Sequence, residues 1–132
     1  DLDAYLPDDY VSDINQKLMV YRSLSSARAL EDVEDVEATL QDRYGRPPGP
    51  AATLLDSARI RALCLLRRVD KLELAKGKAG IVFAEDAKIS HKDIRRLIED
   101  YEGRITFRAP FTLKLSKTHP RELIRVLRDI ST

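Results

Sequence analysis

The residue types that most often carry out chemistry are sparse in this sequence, and they lack the spacing that such chemistry needs. Cys64, His91 and His119 show no ligand spacing of the kind that holds zinc. Ser57 and Ser90 have no flanking glycines that would present a nucleophile on a tight turn. The single cysteine lies in an apolar run and is predicted to be a buried, inert thiol. We therefore predict no catalytic residue, no metal site and no cofactor for this chain.

A concentration of carboxylates on one short segment is the sharpest chemical signal. Five of the seven residues from Glu31 to Glu37 are acidic. At 3.6 residues per turn, Glu31, Asp35 and Asp42 fall on one face of a helix. One interpretation is a solvated face whose first-turn acids suit the helix dipole. The other is a row of carboxylates that an arginine-bearing surface engages through charge-assisted hydrogen bonds.

The acidic face belongs to the second of three predicted helices. Helix one is predicted to begin after Ser12 as its N-cap. Helix two spans about Leu30 to Tyr44 and ends at Gly45, and helix three runs from about Pro50 to Arg67. The predicted buried positions are Ile14, Leu18, Tyr21 and Leu24 in helix one, Leu30, Val33, Val36, Leu40 and Tyr44 in helix two, and Leu54, Leu55, Ala58, Ala62, Leu65 and Leu66 in helix three.

The second half of the sequence changes from a helical to an alternating pattern. The segment VDKLELAKGKAGIVFAE predicts a hairpin of strands Val69–Leu74 and Gly80–Ala84. A helix with Ser90 as its N-cap follows, and then two short strands broken at Ala109-Pro110. The last helix is predicted to begin at Pro120, and its apolar stripe is Leu123, Ile124, Leu127 and Ile130.

The order of these elements predicts an α+β fold. A three-helix subdomain, residues 10–68, precedes a ββαββα part with a mostly antiparallel sheet, residues 69–132. A length of 132 residues suits a single domain. The chain starts in mid-pattern without methionine, which indicates a fragment of a longer protein. No apolar run approaches the roughly 18 residues of a membrane helix, so no membrane partner is predicted.

The near-neutral net charge hides an asymmetry between the two parts of the sequence. Residues 1–44 hold eleven acids against four bases, a net charge of −7. Residues 45–132 hold nineteen bases against eleven acids, a net charge of +8. This suggests a second hypothesis, direct contact with DNA or RNA polymerase through the basic half. The bases that would line such a stripe are Arg59, Arg61, Arg67, Arg68 and Lys71.

Several motifs carry a resemblance to a known family. The sequence contains LPDDYVSDINQKLMVYRSLSSA and then LQDRYGRPPGPAATLLDSARIRALC. These segments follow the pattern LPDDY, then DR[FY]G-x-x-P, then LL-x-x-[AS]R, and they resemble the C-terminal (TRCF) domain of bacterial transcription-repair coupling factors. The resemblance spans nearly the whole chain and is dense between Leu6 and Arg61.

The resemblance implies a non-catalytic regulatory domain within a larger cytoplasmic protein. The parent resembles an ATP-dependent superfamily 2 DNA translocase that acts in transcription-coupled nucleotide excision repair. In the family, this domain packs on the N-terminal UvrB-like module of the same chain, masks the surface that binds UvrA, and restrains the motor until RNA polymerase is engaged. The implied indirect partners are UvrA, RNA polymerase and DNA.

The resemblance also implies a partner-binding site. In the family, acids on the helix that ends in DR[FY]G face arginines of the UvrB-like module, and Asp42 matches the D of that motif. One turn earlier, where the family can place another acid, this sequence has Thr39, and Glu31, Asp32 or Asp35 are the acids that can substitute. The predicted partner-binding residues are Asp42, Thr39, Asp35 and Glu31.

Overall fold

The computed structural model describes residues 3–108 and 112–130, and these form three helices followed by a mixed half. The chain divides into two compact units, Asp1–Ala62 and Leu63–Thr132. This order of elements confirms the predicted α+β fold. In chain order the elements are α1 (Ile14–Ser26), α2 (Leu30–Tyr44), α3 (Gly49–Leu66), β1 (Val69–Ala75), β2 (Lys78–Phe83), α4 (His91–Asp100), β3 (Ile105–Arg108), β4 (Thr112–Leu115) and α5 (Pro120–Asp129).

Helix α1 begins one residue later than predicted. The Asp13 carboxylate accepts a hydrogen bond of 2.8 Å from the Asn15 N–H, so Asp13 and not Ser12 is the N-cap. Both residue types cap helices well, and the carboxylate adds a favourable interaction with the helix dipole. The adjacent Ser12 is exposed and precedes the cap.

The predicted buried stripe of α1 is wrong at its N-terminal end. Leu24 is buried and Tyr21 is half-buried, whereas Ile14 is 70% exposed and Leu18 is 46% exposed. Helical periodicity identifies residues that share a face, but another element must cover that face for it to be buried. Here the helix contributes to the core mainly through its C-terminal end. The core cluster of this unit consists of Val11, Leu24, Ala27, Val33, Leu40, Leu55 and Ala58.

Helix α2 agrees with its prediction at both ends. It ends at Tyr44 because Gly45 adopts a positive φ of +85°, which a residue with a side chain reaches at a cost. Its N-terminus is held by Asp32, whose Oδ2 accepts from the backbone N–H groups of Arg28 and Ala29 at 3.2 and 3.3 Å. Val33 and Leu40 are buried, as the stripe predicted.

Helix α3 buries a different line of residues from the one predicted. Leu55, Ala58 and Ala62 are buried, but Leu65 is 48% exposed and Leu66 is 56% exposed. These two leucines lie in the last turn, where Leu63, at 0% exposure, is the buried residue instead. Their assignment to the core is therefore wrong.

The four strands form one antiparallel sheet in the order β1-β2-β4-β3. The β1–β2 hairpin turns at Lys76 and Gly77, with φ values of 53° and 74°. Positive φ at both central positions is the type I′ geometry whose twist matches the flanking strands. A hairpin turn thus accounts for the KGKAG segment. Strand β1 begins at the predicted Val69 and is one residue longer than predicted, whereas β2 begins two residues earlier and ends one residue earlier. The predicted break at Ala109-Pro110 lies outside the described residues.

The two helices of the second unit follow their local signals. The Ser90 side chain accepts a hydrogen bond from the Asp93 N–H and caps α4, as predicted. Pro120 is the first residue of α5, and the predicted stripe of that helix is buried. None of the helices formed by the described residues combines the length and apolar character that crossing a bilayer requires.

A partly buried ion pair in the second unit predicts a specific dependence of stability on pH. Arg104 binds both carboxylate oxygens of Glu122 at 2.8 and 2.6 Å and lies 5.7 Å from the centre of the Tyr101 ring. The hydrogen bonds from Arg104 lower the pKa of Glu122 from 4.5 to about 2. A lowered pKa means that the folded state holds the charged form, so this stabilisation is present above pH 4.5 and is lost as the pH falls toward 2.

We therefore expect Glu122→Gln to flatten the acid limb of the stability curve. Urea unfolding from pH 6 to pH 2.5 measures this, and the difference between wild type and variant should shrink steadily below pH 4.5. A matched Glu99→Gln variant removes an exposed carboxylate of α4, for which the described residues give no ion pair, and should parallel the wild type. A constant difference between wild type and Glu122→Gln over the whole range would contradict this role of the pair.

Candidate docking surface on helix α2

The polar residues of α2 lie on three sides of the helix. Three of the four predicted site residues form one row on the most exposed side, which we call the outer α2 row. Glu31, Asp35 and Asp42 are exposed and share one face of the helix with Ala38. Within the part of the chain that the structure describes, no ion pair engages these three carboxylates. At 1.5 Å per residue the row extends about 16 Å from Glu31 to Asp42. It is therefore a linear series of solvated negative charges.

A second set of α2 carboxylates has a different use, because Arg59 of α3 binds them. The Arg59 Nη2 atom lies 2.7 Å from Glu34 Oε1 and also contacts Glu37 Oε1, and its Nη1 atom lies 2.8 Å from Asp56 Oδ1. The Arg59 side chain is only 14% exposed. Burial lowers the pKa of Arg59, but the hydrogen bond that Arg59 donates to Glu34 and the charge of Glu37 outweigh burial and raise this pKa overall.

The Arg59 cluster, consisting of Arg59, Glu34, Glu37 and Asp56, therefore fastens α2 to α3. Sequence reasoning missed it and assigned Arg59 to a solvent-facing basic stripe. A weak signal was present, since Asp56 and Arg59 are spaced i,i+3 on one helix and favour a local pair. The two partners on α2 are more than twenty residues away in sequence, and only the packing of the helices identifies them.

The third direction of α2 faces α1, across a groove of about 220 Å³. Met19 and Val20 of α1 and Val36 of α2 line it with apolar surface. Asp35 and Thr39 lie on its α2 side. At the far end Arg43 donates a hydrogen bond of 3.2 Å to Gln16 and ties the two helices together.

The structure brings the four predicted site residues together on one exposed side of α2, but it gives them unequal chemistry. Asp35 and Asp42 present carboxylates to solvent, and Glu31 lies at the N-terminal end of the same row. The Thr39 hydroxyl instead donates to the backbone carbonyl of Asp35 at 3.1 Å. Thr39 therefore supplies no negative charge, and Asp35 is the nearest carboxylate one turn before it.

The bases of the second hypothesis make contacts within their own units. Arg61 donates to the Leu24 carbonyl at 2.8 Å, and Arg67 donates to the Leu127 carbonyl at the same distance. Arg68 binds Asp86 at 2.8 Å, and Arg59 belongs to the cluster described above. Carboxylates offset the charges of Arg59 and Arg68, whereas Arg61 and Arg67 keep their charge and commit only part of their hydrogen-bond donors.

The surroundings of Cys64 and His119 do not suit catalysis. Burial raises the pKa of the Cys64 thiol to about 11, which suppresses the thiolate that a nucleophile needs. The His119 Nδ1 atom accepts from the Glu122 N–H as the cap of α5. Among the described residues, no group of three or more His, Cys, Asp or Glu side chains is arranged to hold a metal ion.

Comparison with known proteins decides the family. The family model described as the TRCF domain matches residues 1–94. This chain belongs to the TRCF domain family. The TRCF match includes all of α2 and therefore every residue of the predicted site.

Relatives of this TRCF domain chain extend the match. The transcription-repair-coupling factor of Escherichia coli is 33% identical over 112 residues, which cover 84% of this chain and 10% of that protein. The one from Myxococcus xanthus is 29% identical over 137 residues, which cover 97% of this chain and 11% of that protein. The chain therefore spans about a tenth of the length of the curated relatives it matches.

A solved structure supports the TRCF fold. A crystal structure of the C-terminal domain of transcription-repair coupling factor superposes with a TM-score of 0.68 at 23% identity. The superposition covers 97% of this chain and 84% of that one. The predicted resemblance to the family and the predicted fold class are both confirmed.

Proposed function

We propose that this chain is a non-catalytic docking domain of a transcription-repair coupling factor. Its outer α2 row binds the UvrB-like module of the same parent protein. In the docked state it masks the surface that binds UvrA and restrains the DNA translocase. Engagement of RNA polymerase releases the contact in transcription-coupled repair.

The observation that carries this proposal is the division of the α2 carboxylates. Asp32 serves as a helix cap, and Glu34 and Glu37 are bound by Arg59, so internal structure accounts for these three acids. The described residues provide no ion pair for Glu31, Asp35 and Asp42. The helix dipole favours Glu31 in the first turn, but it does not favour Asp35 or Asp42. An arginine-bearing partner would engage these carboxylates through charge-assisted hydrogen bonds.

A contact of this kind suits a domain that must be released. An exposed ion pair contributes only about 0–1 kcal/mol, so three pairs hold a weak complex. Tethering within one chain raises the effective concentration and makes a weak contact sufficient to favour the closed state. A partner that binds the open state only moderately better can then shift the equilibrium.

The test is binding of this chain to the UvrB-like module of the same parent, measured by calorimetry at increasing salt. We expect affinity to fall as salt rises, because screening weakens exposed charge pairs. Asp42→Lys should weaken binding about fivefold at low salt, since one attractive pair becomes repulsive. Asp100→Lys makes the same charge change at an exposed position of α4 and should leave affinity within twofold.

Absence of binding at every salt concentration would overturn the docking function. An equal loss of affinity in Asp42→Lys and Asp100→Lys would show that the binding site does not lie on α2. A salt-dependent affinity for short duplex DNA, lost on reversal of Arg67 and Arg68, would transfer the function to the basic half.

A further inference from the structure

The proposed ionic contact leaves the apolar side chains next to it unexplained. Three large apolar residues of α1 are exposed within six positions: Ile14 at 70%, Leu18 at 46% and Met19 at 58%. Single exposed apolar residues are common on protein surfaces, but adjacent ones on one helix form a patch. Met19 differs from the other two because it lines the groove between α1 and α2.

The groove has the size of a site for a single side chain. Its volume of about 220 Å³ is smaller than the roughly 300–1,000 Å³ of pockets that enclose a drug-sized ligand. Its walls include Met19, Val20 and Val36, and methionine adapts its shape readily to an inserted group. An aliphatic side chain of a protein partner fits these dimensions and this lining.

The charges around the groove indicate which charge the partner should carry next to the inserted side chain. Asp35 lies on its α2 side with an exposed carboxylate that the described residues leave without an ion pair. Arg43, about 12 Å further along the helix, donates to the neutral Gln16 side chain and keeps its positive charge at the other end. The groove therefore carries a negative charge at its Asp35 end and a positive charge at its Arg43 end, and a basic side chain is favoured only beside Asp35. A partner segment with an arginine or lysine beside its aliphatic residue is complementary to this arrangement.

We propose that the α1–α2 groove receives an aliphatic side chain from a basic segment of the docking partner, with the neighbouring base bound to Asp35. This inference rests on the proposed function and adds an apolar anchor to an otherwise ionic contact. Affinity in protein interfaces is concentrated in a few anchors that fill pockets, surrounded by pairs that contribute specificity. The groove thus supplies affinity and the outer row supplies orientation.

Met19 provides a direct probe, because it is the only methionine in the chain. A sample labelled with 13C at the methionine methyl group gives one signal from this residue, located at the groove. We expect this signal to shift and broaden on addition of the UvrB-like module. In parallel, Met19→Ser should weaken binding about tenfold without altering its salt dependence.

Ile14→Ser is the matched control, since Ile14 is equally apolar, more exposed and on the same helix, and it does not line the groove. We expect its affinity to stay within twofold of wild type. An unshifted methyl signal together with unchanged affinity in Met19→Ser would rule out the groove as a binding site. The Asp42→Lys variant would then still test the ionic contact by itself. Equal losses in Met19→Ser and Ile14→Ser would also overturn it. Absence of binding by the wild type would overturn the docking function and this inference together.

Discussion

Replacing Arg59 with alanine is expected to lower the free energy of unfolding by about 2–3 kcal/mol. Removing one partner of a buried ion pair costs about 3–5 kcal/mol, because the remaining charges lose their compensation. The Arg59 cluster is partly hydrated, since the Glu34 side chain is 44% exposed, and the expected cost is correspondingly smaller. The loss leaves three carboxylates near one another without their shared cation.

Chemical unfolding in urea measures this effect, with Arg46→Ala as the matched control. Arg46 is exposed and the described part of the chain gives it no ion pair, so its removal should change stability by less than about 0.5 kcal/mol. Arg59→Lys keeps the charge but loses the planar fork, and it should fall between the two. Equal stability of Arg59→Ala and Arg46→Ala would show that the cluster contributes nothing.

Reversing two charges of the outer α2 row in the complete parent protein is expected to release the docked state. With Asp35→Lys and Asp42→Lys combined, two attractive pairs become repulsive, a change of about 2 kcal/mol in total. A change of that size shifts the ratio of closed to open protein about 30-fold. We therefore expect ATP hydrolysis without RNA polymerase to rise and UvrA to bind without prior engagement.

Two measurements separate this expectation from a loss of folding. The double variant should unfold at the same urea concentration as wild type, because both positions are exposed and outside the Arg59 cluster. A parent carrying Asp100→Lys should hydrolyse ATP at the rate of the wild-type parent. Unchanged ATP hydrolysis and unchanged UvrA binding in a folded double variant would refute the restraining function.

The two sets of variants act on different carboxylates of the same helix. Arg59→Ala changes the stability of the unit through Glu34 and Glu37, which face α3. The double reversal changes only residues that face solvent. If function and stability depend on separate rows of one helix, the first variant lowers stability and the second alters docking alone.

Local signals in the sequence were sufficient for most element boundaries. Helix α2 was predicted from Leu30 to Tyr44 because its apolar spacing and Gly45 are both local features. Ser90 and Pro120 predicted the starts of α4 and α5 for the same reason. The assignment of Ser12 as the cap of α1 failed because Asp13, an equally good cap, follows it directly.

The burial of the helix ends was beyond the reach of periodicity. Ile14, Leu18, Leu65 and Leu66 have the right spacing for a core, yet all four are exposed. Spacing states which side chains share a face, whereas burial requires another element to lie against that face. Leu63 lies in the same last turn as Leu65 and Leu66 and is fully buried, so spacing alone does not tell which side of that turn is covered.

The sequence by itself determined the family, the order of the elements and the face of α2 that carries the acids, because these depend on motifs and on helical geometry along one segment. Only the tertiary structure decided which acids are used internally. Glu34 and Asp35 are adjacent in sequence and equally acidic, yet one binds Arg59 and the other faces solvent beside the groove. That difference arises because α3 packs against one flank of α2 and α1 against the other, and contacts between helices are a property of their packing.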